Sequence, residues 1–85
     1  MDVSKTHKVI LYNDDKLTFD FVICCLVEIC GHTLIQAEQC ALIAHKKGQV
    51  TIASGSFDKM YSILETLDYV KVNVSLEQYE SDLHR

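Results

Sequence analysis

Eighty-five residues, 48% of them apolar and 24% charged, describe one soluble globular domain. A chain this short buries only about 60–65% of its unfolded surface, enough for a compact core but not for a deep active-site cavity as well. Twelve acidic residues outnumber eight basic ones, the net charge is −4, and Lys46-Lys47 is the only adjacent basic pair. That balance disfavours nucleic-acid and anionic-membrane partners, both of which call for a basic patch.

The elements follow in chain order. Lys8–Tyr12 is a β-prone run that stops at Asn13-Asp14-Asp15, residues whose side chains bond nearby backbone and favour turns. Thr18 is an N-cap candidate with Asp20 in the first turn, and Phe19, Val22, Ile23, Leu26, Ile29 and Cys30 recur at helical spacing up to Gly31. Thr33 and Gln36 form a capping box for a second helix, whose apolar stripe is Ala37, Ala41 and Ala44, with His45 beside it. Lys46-Lys47 suit the C-terminal dipole of that helix and Gly48 ends it.

Val50–Ala53 reads as a second strand, and Ser56 caps a third helix carrying Met60, Ile63, Leu64 and Leu67. Tyr69–Leu76 alternates with period two and is expected to form the last strand. Residues 1–7 read as a short N-terminal arm, 8–77 as the domain and 78–85 as a frayed tail. The expected fold is therefore a two-layer α+β domain of order β-α-α-β-α-β, with a three-stranded sheet, antiparallel or mixed, packed on one face against three helices.

Four cysteines, at 24, 25, 30 and 40, form no CxxC and follow no signal-peptide pattern. They read as reduced core thiols of a cytoplasmic protein. Cys30, His32 and Cys40 lack the paired short spacing of a structural zinc site, so no metal is expected. No apolar run reaches the roughly 20 residues needed to cross a bilayer.

No nucleophile–base motif or phosphate loop is present. Instead a polar cluster, Asn13, Asp14 and Asp15, leaves the first strand just ahead of Leu17, Phe19 and Val22, while Ala41, Ala44 and His45 share a face of the second helix. The segments Lys8–Asp15, Phe19–Val22, Gln36–Gln39 and Ala44–Gly48 together resemble the ClpS family. The likeness is ungapped over residues 8–48; beyond them only the order of elements matches.

The resemblance implies an adaptor without catalysis of its own. It would bind the N-terminal residue of an N-degron protein (Phe, Tyr, Trp or Leu) and deliver the chain to a Clp-type AAA+ unfoldase with a ClpA-like N-terminal domain. Carried over by position, Asn13, Asp14 and His45 would hold the α-ammonium group. Leu17, Phe19, Val22, Ala41, Ala44 and Val72 would line the side-chain pocket, and Asp58 and Lys59 would take part in docking. No cofactor is implied, and a monomer is expected.

The chemistry is coherent, since an α-ammonium group has three donors and needs acceptors converging from several sides. The chain departs from the family in the seven residues ahead of the first strand, where members commonly carry a longer arm. Its third helix is also shorter, and Ala41 stands where some members have Met. Two other readings compete with it: a ribosomal-stalk-like factor-binding module of the same topology, which would need a Lys- and Gly-rich helical face, and an enzyme using a His45–Asp14 dyad, for which no nucleophile is apparent.

Overall fold

In the computed structural model, which describes residues 6–79, the elements are β1 (His7–Tyr12), α1 (Phe19–Cys30), α2 (Leu34–Lys47), β2 (Gln49–Gly55), α3 (Phe57–Tyr69) and β3 (Val74–Gln78). The expected order is the observed one. The sheet runs β2-β1-β3, and both of its pairings are antiparallel. The arm and tail assigned from the sequence lie mostly outside the described residues. His7 and Gln78, placed in them, are paired partners at the end of the sheet.

Local chemistry explains where the helices begin. The Thr18 hydroxyl accepts from the Phe21 N–H, Ser56 accepts from the Lys59 N–H, and Thr33 and Gln36 form the reciprocal capping box. Gly31 and Gly48 close α1 and α2 in left-handed conformations, with φ of 75° and 95°.

Val9 and Leu11 of β1 pack in the core with Cys25, Leu26, Ala37, Ala44, Ile52, Met60, Leu67 and Val72. The opposite face of β1 carries Lys8, Ile10 and Tyr12. There the Tyr12 hydroxyl pairs with that of Ser75 at 2.9 Å, and the Lys8 ammonium lies over the Tyr79 ring. The β1–β2 register shifts between Val9 and Ile10, with Ile52 as the extra residue. The bulge lets the adjacent Ile52 and Ala53 both pack on the core. It also frees the Ile52 carbonyl, which lies 2.7 Å from His32 Nε2. A carbonyl can only accept, so His32 carries its proton on Nε2 and leaves Nδ1 buried without a partner.

One expectation is corrected. Residues 69–73 are not strand: α3 continues to Tyr69, and β3 begins only at Val74. The helix ends in a Schellman turn, with the Val72 N–H donating to the Leu67 carbonyl, the Lys71 N–H to that of Asp68, and Lys71 left-handed at φ 70°. Val72, expected on the last strand, sits in this turn and is buried in the core at 2% exposure.

Two of these turns give stability changes of opposite sign. Gly48 has open space around its Cα, so Gly48→Ala adds only left-handed strain and should cost about 1–2 kcal/mol. Lys71 is exposed and bears that strain already, so Lys71→Gly should stabilise the domain by roughly 0.5–1 kcal/mol after the added flexibility of the unfolded chain is subtracted. Urea midpoints at constant m-value would read both.

Candidate functional site

The turn from β1 into α1 meets the end of α2 at one cleft of about 180 Å³. Its mouth is built by hydrogen bonds. The Asn13 N–H donates to the Gly48 carbonyl at 3.0 Å, tying the end of β1 to the end of α2. The Asp14 carbonyl accepts from the Leu17 N–H, and the Asp14 carboxylate accepts from the Lys16 N–H, both at 3.0 Å. This is an Asx turn, made by the side chain that favours it. Asn13 Nδ2 then donates to the Asp15 carboxylate at 3.3 Å, leaving Asn13 Oδ1 as a free acceptor.

The walls divide by polarity. Asn13, Asp14, Asp15 and His45 supply polar atoms, and Asn13, Asp15 and His45 are exposed. Leu17, Val22, Ala41 and Ala44 supply apolar surface, with both alanines buried. Phe19, the first residue of α1, spans the two regions. Its ring meets that of His45 edge-to-face, with centroids 5.3 Å apart and planes at 67°. An acceptor cluster beside an apolar slot can hold a small cation that carries an apolar substituent.

Eight of the residues anticipated from the sequence line this one cleft: Asn13, Asp14, Leu17, Phe19, Val22, Ala41, Ala44 and His45. Val72 is not among the lining residues. Asp58 and Lys59 are exposed on the first turn of α3, beside a ring stack in which Phe57 meets both His7 and Tyr61. Asp15, which the sequence reading leaves out of the acceptor set, also lines the cleft; one oxygen of its carboxylate accepts from Asn13 Nδ2, and one oxygen of the Asp14 carboxylate accepts from the Lys16 N–H.

Fold and cleft together define a small α+β domain whose β1–α1 turn and α2 end enclose a cleft with a polar and an apolar part. The family described as "ATP-dependent Clp protease adaptor protein ClpS" matches residues 2–73, and the chain belongs to that family. A ClpS adapter protein of Acetivibrio thermocellus is 37% identical over 54 residues, which cover 64% of this chain and 54% of that protein. The chain thus spans about half the length of that relative. The structure of Agrobacterium tumefaciens ClpS2 bound to L-phenylalaninamide superposes with a TM-score of 0.80 at 22% identity, covering 89% of this chain and 99% of that one. That likeness establishes the shared fold.

Among the described residues no helix is long and apolar enough to cross a membrane, and no three His, Cys, Asp or Glu side chains could share a metal ion. His32 is engaged with the Ile52 carbonyl of β2. Burial raises the Cys30 thiol to about 11, with Cys40 and Cys25 adding repulsion, and burial raises Cys25 and Cys40 as well. At pH 8 only about one Cys30 in a thousand is thiolate, the form that reacts. Iodoacetamide at pH 8 should therefore modify the exposed Cys24 first and reach Cys30 only after denaturation, as read by peptide mass spectrometry.

Proposed function

We propose that the cleft receives the first residue of a protein chain, and that the protein acts as a non-catalytic adaptor bringing such chains to a Clp-type AAA+ unfoldase. The observation that carries this reading is the joining of exposed acceptors to an apolar slot in one cleft. In this reading Asn13 Oδ1, the Asp15 carboxylate and the His45 imidazole take the α-ammonium protons, with Asp14 adding negative charge. Leu17, Phe19, Val22, Ala41 and Ala44 surround the side chain.

The size of the cleft supports a first residue with a sizeable apolar side chain. A dry cavity of about 150 Å³ accepts a benzene ring, and the whole cleft here, polar mouth and apolar slot together, is about 180 Å³. The ClpS2 neighbour was solved with an amino-acid amide, which has a free α-amine and, where a peptide bond would follow, an amide. Delivery rests on family membership. Asp58 and Lys59, exposed on α3, are proposed to contact the unfoldase.

Fluorescence anisotropy tests the site. A peptide beginning with Phe should bind, and acetylation should weaken it by about 2–4 kcal/mol, or roughly thirtyfold and more, because it removes the charge and strands the acceptors. Binding of the acetylated peptide within threefold of the free one would end the reading. The two carboxylates should separate as well. Asp15→Asn should weaken binding by about tenfold or more, whereas Asp14→Asn, which keeps the Asx turn, should cost less than about threefold. The reverse order would assign the ammonium group to Asp14.

Identical peptides varied at residue one should rank Phe, Tyr and Trp above Leu. Larger side chains bury more apolar area. Ile and Val should fall far behind, because a β-branch meets the Phe19 ring near the ammonium group, a clash that costs about 1–3 kcal/mol. Val binding as tightly as Phe would refute the steric role of that ring.

A further inference from the structure

Asn13, Asp14, Asp15 and His45, among the polar residues lining the cleft, are not held alike. Asn13 is tied through its backbone to Gly48, and its amide donates to Asp15. The Asp14 carboxylate is fixed by the Lys16 N–H, and that of Asp15 by Asn13. His45 lies exposed in the last turn of α2, and among the described residues no hydrogen bond orients its ring. Its directional contact is the edge-to-face pairing with Phe19 across the mouth of the cleft.

An exposed imidazole free to turn about two side-chain bonds points its acceptor nitrogen at the cleft only part of the time. An aromatic pair of this geometry favours one arrangement by about two- to tenfold. We infer that Phe19 is a positioning residue for His45. It holds the imidazole where it can accept from the bound amine, so that recognition of the charge depends on a residue in the wall of the side-chain slot. This rests on the reading of the cleft as a site for a chain's first residue. It assigns Phe19 a role distinct from lining or blocking the slot, because those roles act equally on ligands with and without an amine.

Two ligands separate the roles: a peptide beginning with Phe, and the same peptide with its first residue replaced by 3-phenylpropionyl, which keeps the ring and lacks the amine. The ratio of their Kd values measures amine recognition. Phe19→Leu should reduce that ratio by about two- to tenfold, and Phe19→Tyr, which keeps the ring, should preserve it. In a His45→Ala background Phe19→Leu should leave the ratio unchanged. Equal weakening of both ligands by Phe19→Leu, or the same fall in ratio without His45, would overturn the inference.

A ligand-free measurement stands beside these. The His45 ring protons should carry a ring-current shift that disappears in Phe19→Leu and persists in Phe19→Tyr. A wild-type ratio near one would end the first-residue reading and, with it, any role for Phe19 in amine recognition. Unchanged His45 shifts in Phe19→Leu would show that the two rings are not linked at all.

Discussion

The alanines on one face of α2 set the geometry on which everything else depends. Ala37, Ala41 and Ala44 are all buried, at no more than 4% exposure. Methyl groups at these positions let α2 lie close to α1 and the sheet, and the same small side chains leave volume unfilled where α2 ends. A larger residue at 37 would force the layers apart, since close-packed cores absorb extra volume poorly. A larger residue at 41 or 44 would occupy the cleft itself. Packing and binding thus draw on one stripe of alanines.

The second constraint is backbone. The cleft needs the end of β1 and the end of α2 side by side; the β1–β2 ladder brings them there through the pair Tyr12–Gln49, and the hydrogen bond from the Asn13 N–H to the Gly48 carbonyl extends it by one step. Gly48 turns left-handed at that point, so one residue both stops the helix and presents an acceptor to the strand. His45 is three residues earlier, in the same last turn. Polar groups from two distant segments are brought together by helix termination rather than by side-chain attraction.

Much of this was legible in the sequence because its signals are local. Thr18, Thr33 and Ser56 act within three residues of themselves, and Gly31 and Gly48 mark ends that only a left-handed residue makes easily. The cleft was legible in most of its members because the family pattern spans both segments that build it. What failed was non-local or degenerate. Val70, Val72 and Val74 alternate like a strand, yet Val70 and Val72 point inward as the end of α3, and the left-handed turn between them is made by a lysine where a glycine would have announced it. The bulge at Ile52 follows from core packing across strands, so nothing nearby in sequence marks it, and the use of His32 follows from the bulge. Asp14 and Asp15 are interchangeable on paper. Only the path of the turn decides which carboxylate is occupied by backbone.

The exposure of the acceptors bears on how such a cleft discriminates. Single contacts between exposed charges are worth little, about 0–1 kcal/mol, because water and salt screen them. An ammonium group alone, such as the end of a lysine side chain, would therefore gain little here and would lose the rotamer freedom of its long stem. An apolar side chain alone, in the middle of a chain, would bring an uncharged peptide group to the acceptors and leave them unpaired. Only a first residue carries the charge and the side chain on the same carbon. It can satisfy several acceptors while its side chain excludes water from them, and their strength then rises with the drop in local dielectric. On the proposed reading selectivity comes from this joint requirement, and for that reason a link between the two halves, such as the Phe19–His45 ring pair, has functional weight beyond its own small energy.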